Sequence, residues 1–121
     1  GENISSIKKS SLKKQRSLLL SEDAENRVIT EITNAWSKYQ SSESVLVATE
    51  AQLKAAEIAN EGITLEYDSG NTRTTLEVIQ SRSLLLEARI ASAKAQRDFM
   101  ISKFELAFQL GTLSSNSIKS L

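Results

Sequence analysis

The sequence predicts an all-α fold, a long antiparallel coiled-coil helical hairpin of unequal arms. Three observations carry this. None of the 121 residues is proline. Apolar residues recur in alternating steps of three and four over two long stretches. One strong turn sequence, Tyr67-Asp68-Ser69-Gly70-Asn71-Thr72, separates those stretches. Loop-rich and sandwich folds need proline and glycine at their turns, and this chain has only four glycines.

The first long helix divides in two. Residues 1–27 form an overhanging N-terminal part, and residues 28–66 form the part that pairs. From Val28 the heptad steps run Val28, Ile32, Ala35, Tyr39, Ser42, Leu46, Thr49, Leu53, Ala56, Asn60, Ile63 and Tyr67. A seven-residue repeat implies a left-handed supercoil. The tip turn occupies 67–75, where Gly70 takes a positive φ without steric cost. Thr74 or Thr75 is placed to N-cap the next helix, and Glu77 stands at capping-box spacing from Thr74.

The returning helix covers 76–113 and a flexible tail covers 114–121. Its seam is read as Leu76, Ile79, Ser83, Leu86, Ile90, Ala93, Arg97, Met100, Phe104, Ala107 and Gly111. Each helix has a second stripe. On the first it includes Ile29, Trp36, Val47, Ala51, Ala55, Ile58, Gly62 and Leu65. On the second it includes Val78, Leu85, Ala88, Ala95, Phe99, Leu106 and Leu113. A two-helix coil needs one narrow stripe. Two stripes fit either a sheet or barrel of helices or a small bundle with a wide apolar face. Gly62 costs about 1 kcal/mol against alanine in a helix interior, so it is expected at a close backbone approach.

An antiparallel fold about Gly70 brings Leu113 near Val28. Ile4, Ile7, Leu12, Leu18, Leu19 and Leu20 of the overhang then lack a partner inside the chain. Segments before Gly1, and after Leu121, or another copy are expected to supply it.

Composition excludes several chemistries. The chain has no histidine and no cysteine. Common zinc and iron–sulfur sites lose their usual ligands, and a histidine-dependent nucleophile has no base. No metal site, cofactor or enzyme activity is expected. Fifteen basic and fifteen acidic residues cancel, so no global field recruits nucleic acid. Lys8, Lys9, Lys13, Lys14 and Arg16 cluster near the start without interleaved aromatics. That pattern reads as a solvated helix face rather than a phosphate-binding one. No apolar run approaches the roughly 18–20 residues a spanning helix needs, and Gly1-Glu2-Asn3 does not read as a signal peptide. The carboxylates Glu66, Asp68 and Glu77 near the turn read as solvated rather than as a catalytic acid pair, because no apolar cleft surrounds them.

The segment Glu66-Tyr67-Asp68-Ser69-Gly70-Asn71-Thr72-Arg73-Thr74-Thr75-Leu76-Glu77-Val78-Ile79-Gln80 resembles the tip of TolC-like outer-membrane efflux and secretion channels. That family has a similar Tyr-x-x-Gly turn, then Arg-Thr and an apolar-acidic-Val run entering the next helix. Ile32-Thr33-Asn34-Ala35-Trp36, the Arg89 to Phe99 region and Phe108-Gln109-Leu110-Gly111-Thr112-Leu113 add to the likeness, which covers roughly residues 28–113. Two residues separate Gly70 from Arg73 here, where the family pattern has one.

The resemblance implies a piece of a periplasmic α-helical barrel, the C-terminal repeat's hairpin of a homotrimeric channel in a Gram-negative outer membrane. It implies gating by Tyr67 and Arg73. It also implies docking of a periplasmic adaptor protein at Asp68, Ser69, Gly70, Asn71 and Thr72, with an inner-membrane ABC or RND-type transporter beyond. An arginine fork bonds a carboxylate or carbonyl at fixed geometry and can latch hairpins together. Exposed pairs are individually weak, so a gate needs several. The competing reading is a self-standing coiled-coil scaffold or adaptor hairpin that mediates protein contacts without a conduit.

Overall fold

The computed structural model describes residues 2–70 and 72–119. Two helices account for nearly all of them: α1, Glu2–Asp68, and α2, Thr75–Lys119. They pack antiparallel as a hairpin, and no strand occurs among the described residues. At 1.5 Å per residue, the 67 residues of α1 extend about 100 Å and the 45 of α2 about 68 Å. The arms are therefore unequal. Residues 3–27 are all exposed, and covered positions begin at Val28.

The inward face of α1 is the heptad seam read from the sequence. Val28, Ile32, Ala35, Tyr39, Ser42, Leu46, Thr49, Leu53, Ala56, Asn60 and Ile63 are buried or half-buried. Its second stripe faces out, with Ile29, Trp36, Val47, Ile58 and Leu65 exposed.

On α2 the expected seam is corrected. The helix turns its other stripe inward: Val78, Ser81, Leu85, Ala88, Ser92, Ala95, Phe99, Ser102 and Leu106 are buried or half-buried. The stripe of Leu76, Ile79, Leu86, Ile90, Met100 and Phe104 lies close to the opposite face, and all six are exposed. The physical reason is size. Alanine and serine at most of the inward positions let the two backbones approach closely. The bulkier outward residues would hold them apart.

The seam is partly polar. The Ser42 and Ser102 hydroxyls hydrogen-bond across it at 2.7 Å, and Ser81 Oγ donates to Asn60 Oδ1 at 3.2 Å. Toward the open end Trp36 stacks on Tyr39 with centroids 5.8 Å apart. Tyr39 meets Phe99 at 5.4 Å, and Lys103 Nζ lies 5.4 Å from the Phe99 ring centre.

Two further expectations change. The helix α2 runs on to Lys119, past the end expected at residue 113 and into the expected tail. One glycine lowers helix propensity but does not end a helix that no proline follows. A Cβ built on Gly62 would meet nothing within 4 Å, so the close approach expected there does not occur within this chain.

Candidate functional site

The tip is assembled from the end of α1, a short turn and the start of α2. Tyr67 lies in the last turn of α1, and Asp68 ends the helix. The terminal carbonyls of a helix need partners, and Ser69 supplies them. Its N–H donates to the Leu65 carbonyl at 3.0 Å. Its hydroxyl donates to the Leu65 and Glu66 carbonyls at 2.8 and 3.1 Å. Gly70 N–H donates to the Tyr67 carbonyl at 3.1 Å, with φ of 76°. That is the left-handed conformation that closes many helices.

The start of α2 is a capping box. Glu77 N–H donates to Thr74 Oγ1 at 3.2 Å, and Thr74 N–H donates to Glu77 Oε2 at 3.3 Å. Val78 N–H donates to the Thr74 carbonyl at 3.2 Å. Thr74, not Thr75, is the capping residue.

Arg73 lies between two carboxylates. Its Nε donates to Glu66 Oε2, and its Nη1 is 3.7 Å from Glu77 Oε2. The hydrogen bond to Glu66 is the main reason that its pKa rises further above the ordinary arginine value. The charge of Glu66 adds to it, and Glu77 contributes less. Arg73 is therefore cationic throughout the physiological range. Tyr67 Oη and Thr75 Oγ1 are 3.2 Å apart. Both residues of the expected gate thus have a partner inside their own hairpin.

Asp68, Ser69, Gly70 and Thr72 of the expected docking tip are exposed on this turn, and Asn71 lies outside the described residues. Sequence reasoning missed Glu66 as the partner of Arg73 and Thr75 as the partner of Tyr67. The pairing of Arg73 with Glu77 had a signal in their four-residue spacing. The Glu66 contact crosses the turn and had none. Next to the tip, a groove of about 510 Å³ runs between the helices. Ala55, Ala56, Ala59, Leu84 and Ala88 line it, with Arg73 and Glu77 at one end.

No cluster of histidine, cysteine, aspartate or glutamate able to hold a metal occurs among the described residues. Nor is any helix there long and apolar enough to cross a membrane. Fold and tip together define an all-α coiled-coil hairpin with an exposed polar turn at one end.

Similarity to known proteins fits that class. The chain is 26% identical over 94 residues to the outer membrane efflux protein BepC of Brucella suis biovar 1 (strain 1330). The match covers 78% of this chain and 20% of that protein, so the chain spans about a fifth of its relative's length. No protein-family profile matches the chain, and no solved structure does. The chain is thus a weak, partial relative of an outer-membrane efflux protein, with an all-α hairpin consistent with the TolC-like fold.

Proposed function

We propose that this hairpin is a wall segment of a periplasmic helical barrel. The barrel would belong to a homotrimeric outer-membrane channel for drug efflux or type I protein secretion. One observation carries the reading: α2 has two apolar faces with heptad spacing, and only one is used by α1. Leu76, Ile79, Leu86, Ile90, Met100 and Phe104 repeat along the outer face and are 54–71% exposed. A helix with coiled-coil stripes on two sides belongs between two neighbours. Gly62, exposed on α1 with open space above its α-carbon, suits a close neighbour from outside the hairpin. The likeness to an efflux protein supports the same reading. A free-standing scaffold hairpin would not need the outer stripe.

In this role the tip is the gate and the docking point. Arg73 has five N–H donors. Glu66 and Glu77 engage only its Nε and Nη1, which leaves donors for an adjacent hairpin. Tyr67 acts beside it. Asp68, Ser69, Gly70, Asn71 and Thr72 meet a periplasmic adaptor protein, which links the channel to an ABC or RND-type transporter. The function is conduction and gating, without catalysis or cofactor.

The test separates assembly from folding. Leu86→Asp with Phe104→Asp in the intact protein should abolish trimers and efflux. The same pair in the present chain should leave the hairpin's melting temperature almost unchanged, since both side chains face solvent. Undiminished trimers and efflux would refute the proposal.

A further inference from the structure

On α2 two stripes share the heptad spacing, and the less apolar one turns inward. The charges beside the stripes differ. On α1, Glu43, Glu50 and Glu57 recur every seven residues beside the seam, and all are exposed. On α2, Arg82, Arg89 and Lys103 stand at one heptad position, with Gln96 between, and all are exposed. Each row lies about 80° round its helix from the seam, in the same sense. In an antiparallel pair, that common sense puts both rows on one face. The Ser81–Asn60 bond sets the heights. Counted from it at equal rise, Arg82 and Arg89 fall two residues from the levels of Glu57 and Glu50. Lys38 lies on the other face, in a groove that Asp98 and Glu105 also line. Both charged flanks of α1 thus meet opposite charge on α2. Among the described residues none of these side chains is in an ion pair across the seam, so they act as exposed flanking charges.

We infer that these charges select the rotation of α2, holding its serine- and alanine-rich stripe against α1 and its bulkier stripe outward. Turning Ile79, Leu86, Ile90 and Phe104 inward would rotate α2 by nearly half a turn. Arg82, Arg89 and Lys103 would then leave the acid row for the other face. Lys103 would come level with Lys38, and Asp98 and Glu105 would turn away from it. Glu87 would enter the face of the acid row, between the levels of Glu50 and Glu57. Lys94 would come with it, the one charge to gain a partner there. Attraction on both faces is thus exchanged for like charges at two places. Flanking charges choose partner and orientation in coiled coils, and like charges at neighbouring positions are unfavourable. Each exposed pair is weak, but the rows run over several heptads and change partners together. Small inward residues let the helices approach, and the charges penalise the competing packing. The bulky stripe stays outside, where the channel reading needs it. The selection itself is intramolecular and does not depend on that reading.

Adjacent cysteines read the rotation, since the chain has none of its own. Ser92 is 2% exposed on the inner stripe, and Ala93 is exposed on the outer one. In otherwise wild-type whole chains, iodoacetamide should label Ala93→Cys at least tenfold faster than Ser92→Cys. Arg82→Glu, Arg89→Glu and Lys103→Glu combined should bring that ratio to one or below. Adding Glu43→Lys, Glu50→Lys and Glu57→Lys should restore it. The neutral row, Arg82→Gln, Arg89→Gln and Lys103→Gln, should give an intermediate ratio. It decides the matter if circular dichroism shows the reversed row unfolded. The inference is overturned if the neutral row, or a folded reversed row, keeps the wild-type ratio. It is also overturned if the ratio falls and the second reversal, still folded, does not restore it. Neither trimers nor efflux enter these measurements, so a failure here leaves the channel reading standing.

Discussion

Gly70 carries the chain through a left-handed conformation that has no steric obstacle around it. The need for glycine there is conformational, not spatial. Gly70→Ala should therefore cost about 1 kcal/mol in thermal unfolding, the penalty of an L-residue in that region. Thr74 makes one half of a reciprocal cap, and Thr74→Ala should cost about 1 kcal/mol by the same measurement. Arg73 behaves differently. Its raised pKa means that its contribution is fully present below the ordinary arginine value. That contribution is lost only as pH rises through the raised one, far above physiological pH. The cationic side of this contact should therefore not vary between pH 6 and 9. The turn and the capping spacing were legible in the sequence, because short polar residues act on backbone groups a few positions away. The Glu66–Arg73 and Tyr67–Thr75 contacts were not. They depend on how the turn folds the two helix ends against each other.

The helices show what periodicity can and cannot decide. On α1 the seam from Val28 to Ile63 was readable because one stripe is a continuous mixture of small and large residues. On α2 two stripes share the heptad spacing, and spacing alone does not say which turns inward. The more apolar stripe looked like the seam and is the outer face. Adjacent leucines test this sharply. Leu85 is 7% exposed and Leu86 is 57% exposed. Leu85→Ala should destabilise the hairpin by about 2–3 kcal/mol. Leu86→Ala should stay within about 0.5 kcal/mol of wild type, as surface changes do. Equal losses would mean that α2 is rotated from the orientation described. The polar seam makes a second prediction of opposite sign. Ser92 is 2% exposed and its Oγ has no partner in the protein. Ser92→Ala should raise the melting temperature, because it removes that hydroxyl and improves helix propensity.

At the scale of the whole molecule, the unusual composition has a physical account. A chain without proline and with few aromatics builds a layer only two helices wide, and such a layer leaves much of its apolar surface outside. Among the described residues the hairpin therefore leaves the overhang, the outer stripes of both helices and the tip without a partner. In the proposed channel, the outer face of α2 packs within the barrel wall and the tip controls its opening. The most direct measurement is planar-bilayer conductance of the intact protein containing this segment. A channel with low basal conductance is expected, and the conductance should rise clearly when Tyr67→Ala and Arg73→Ala are combined. An intact protein that forms no channel would contradict it.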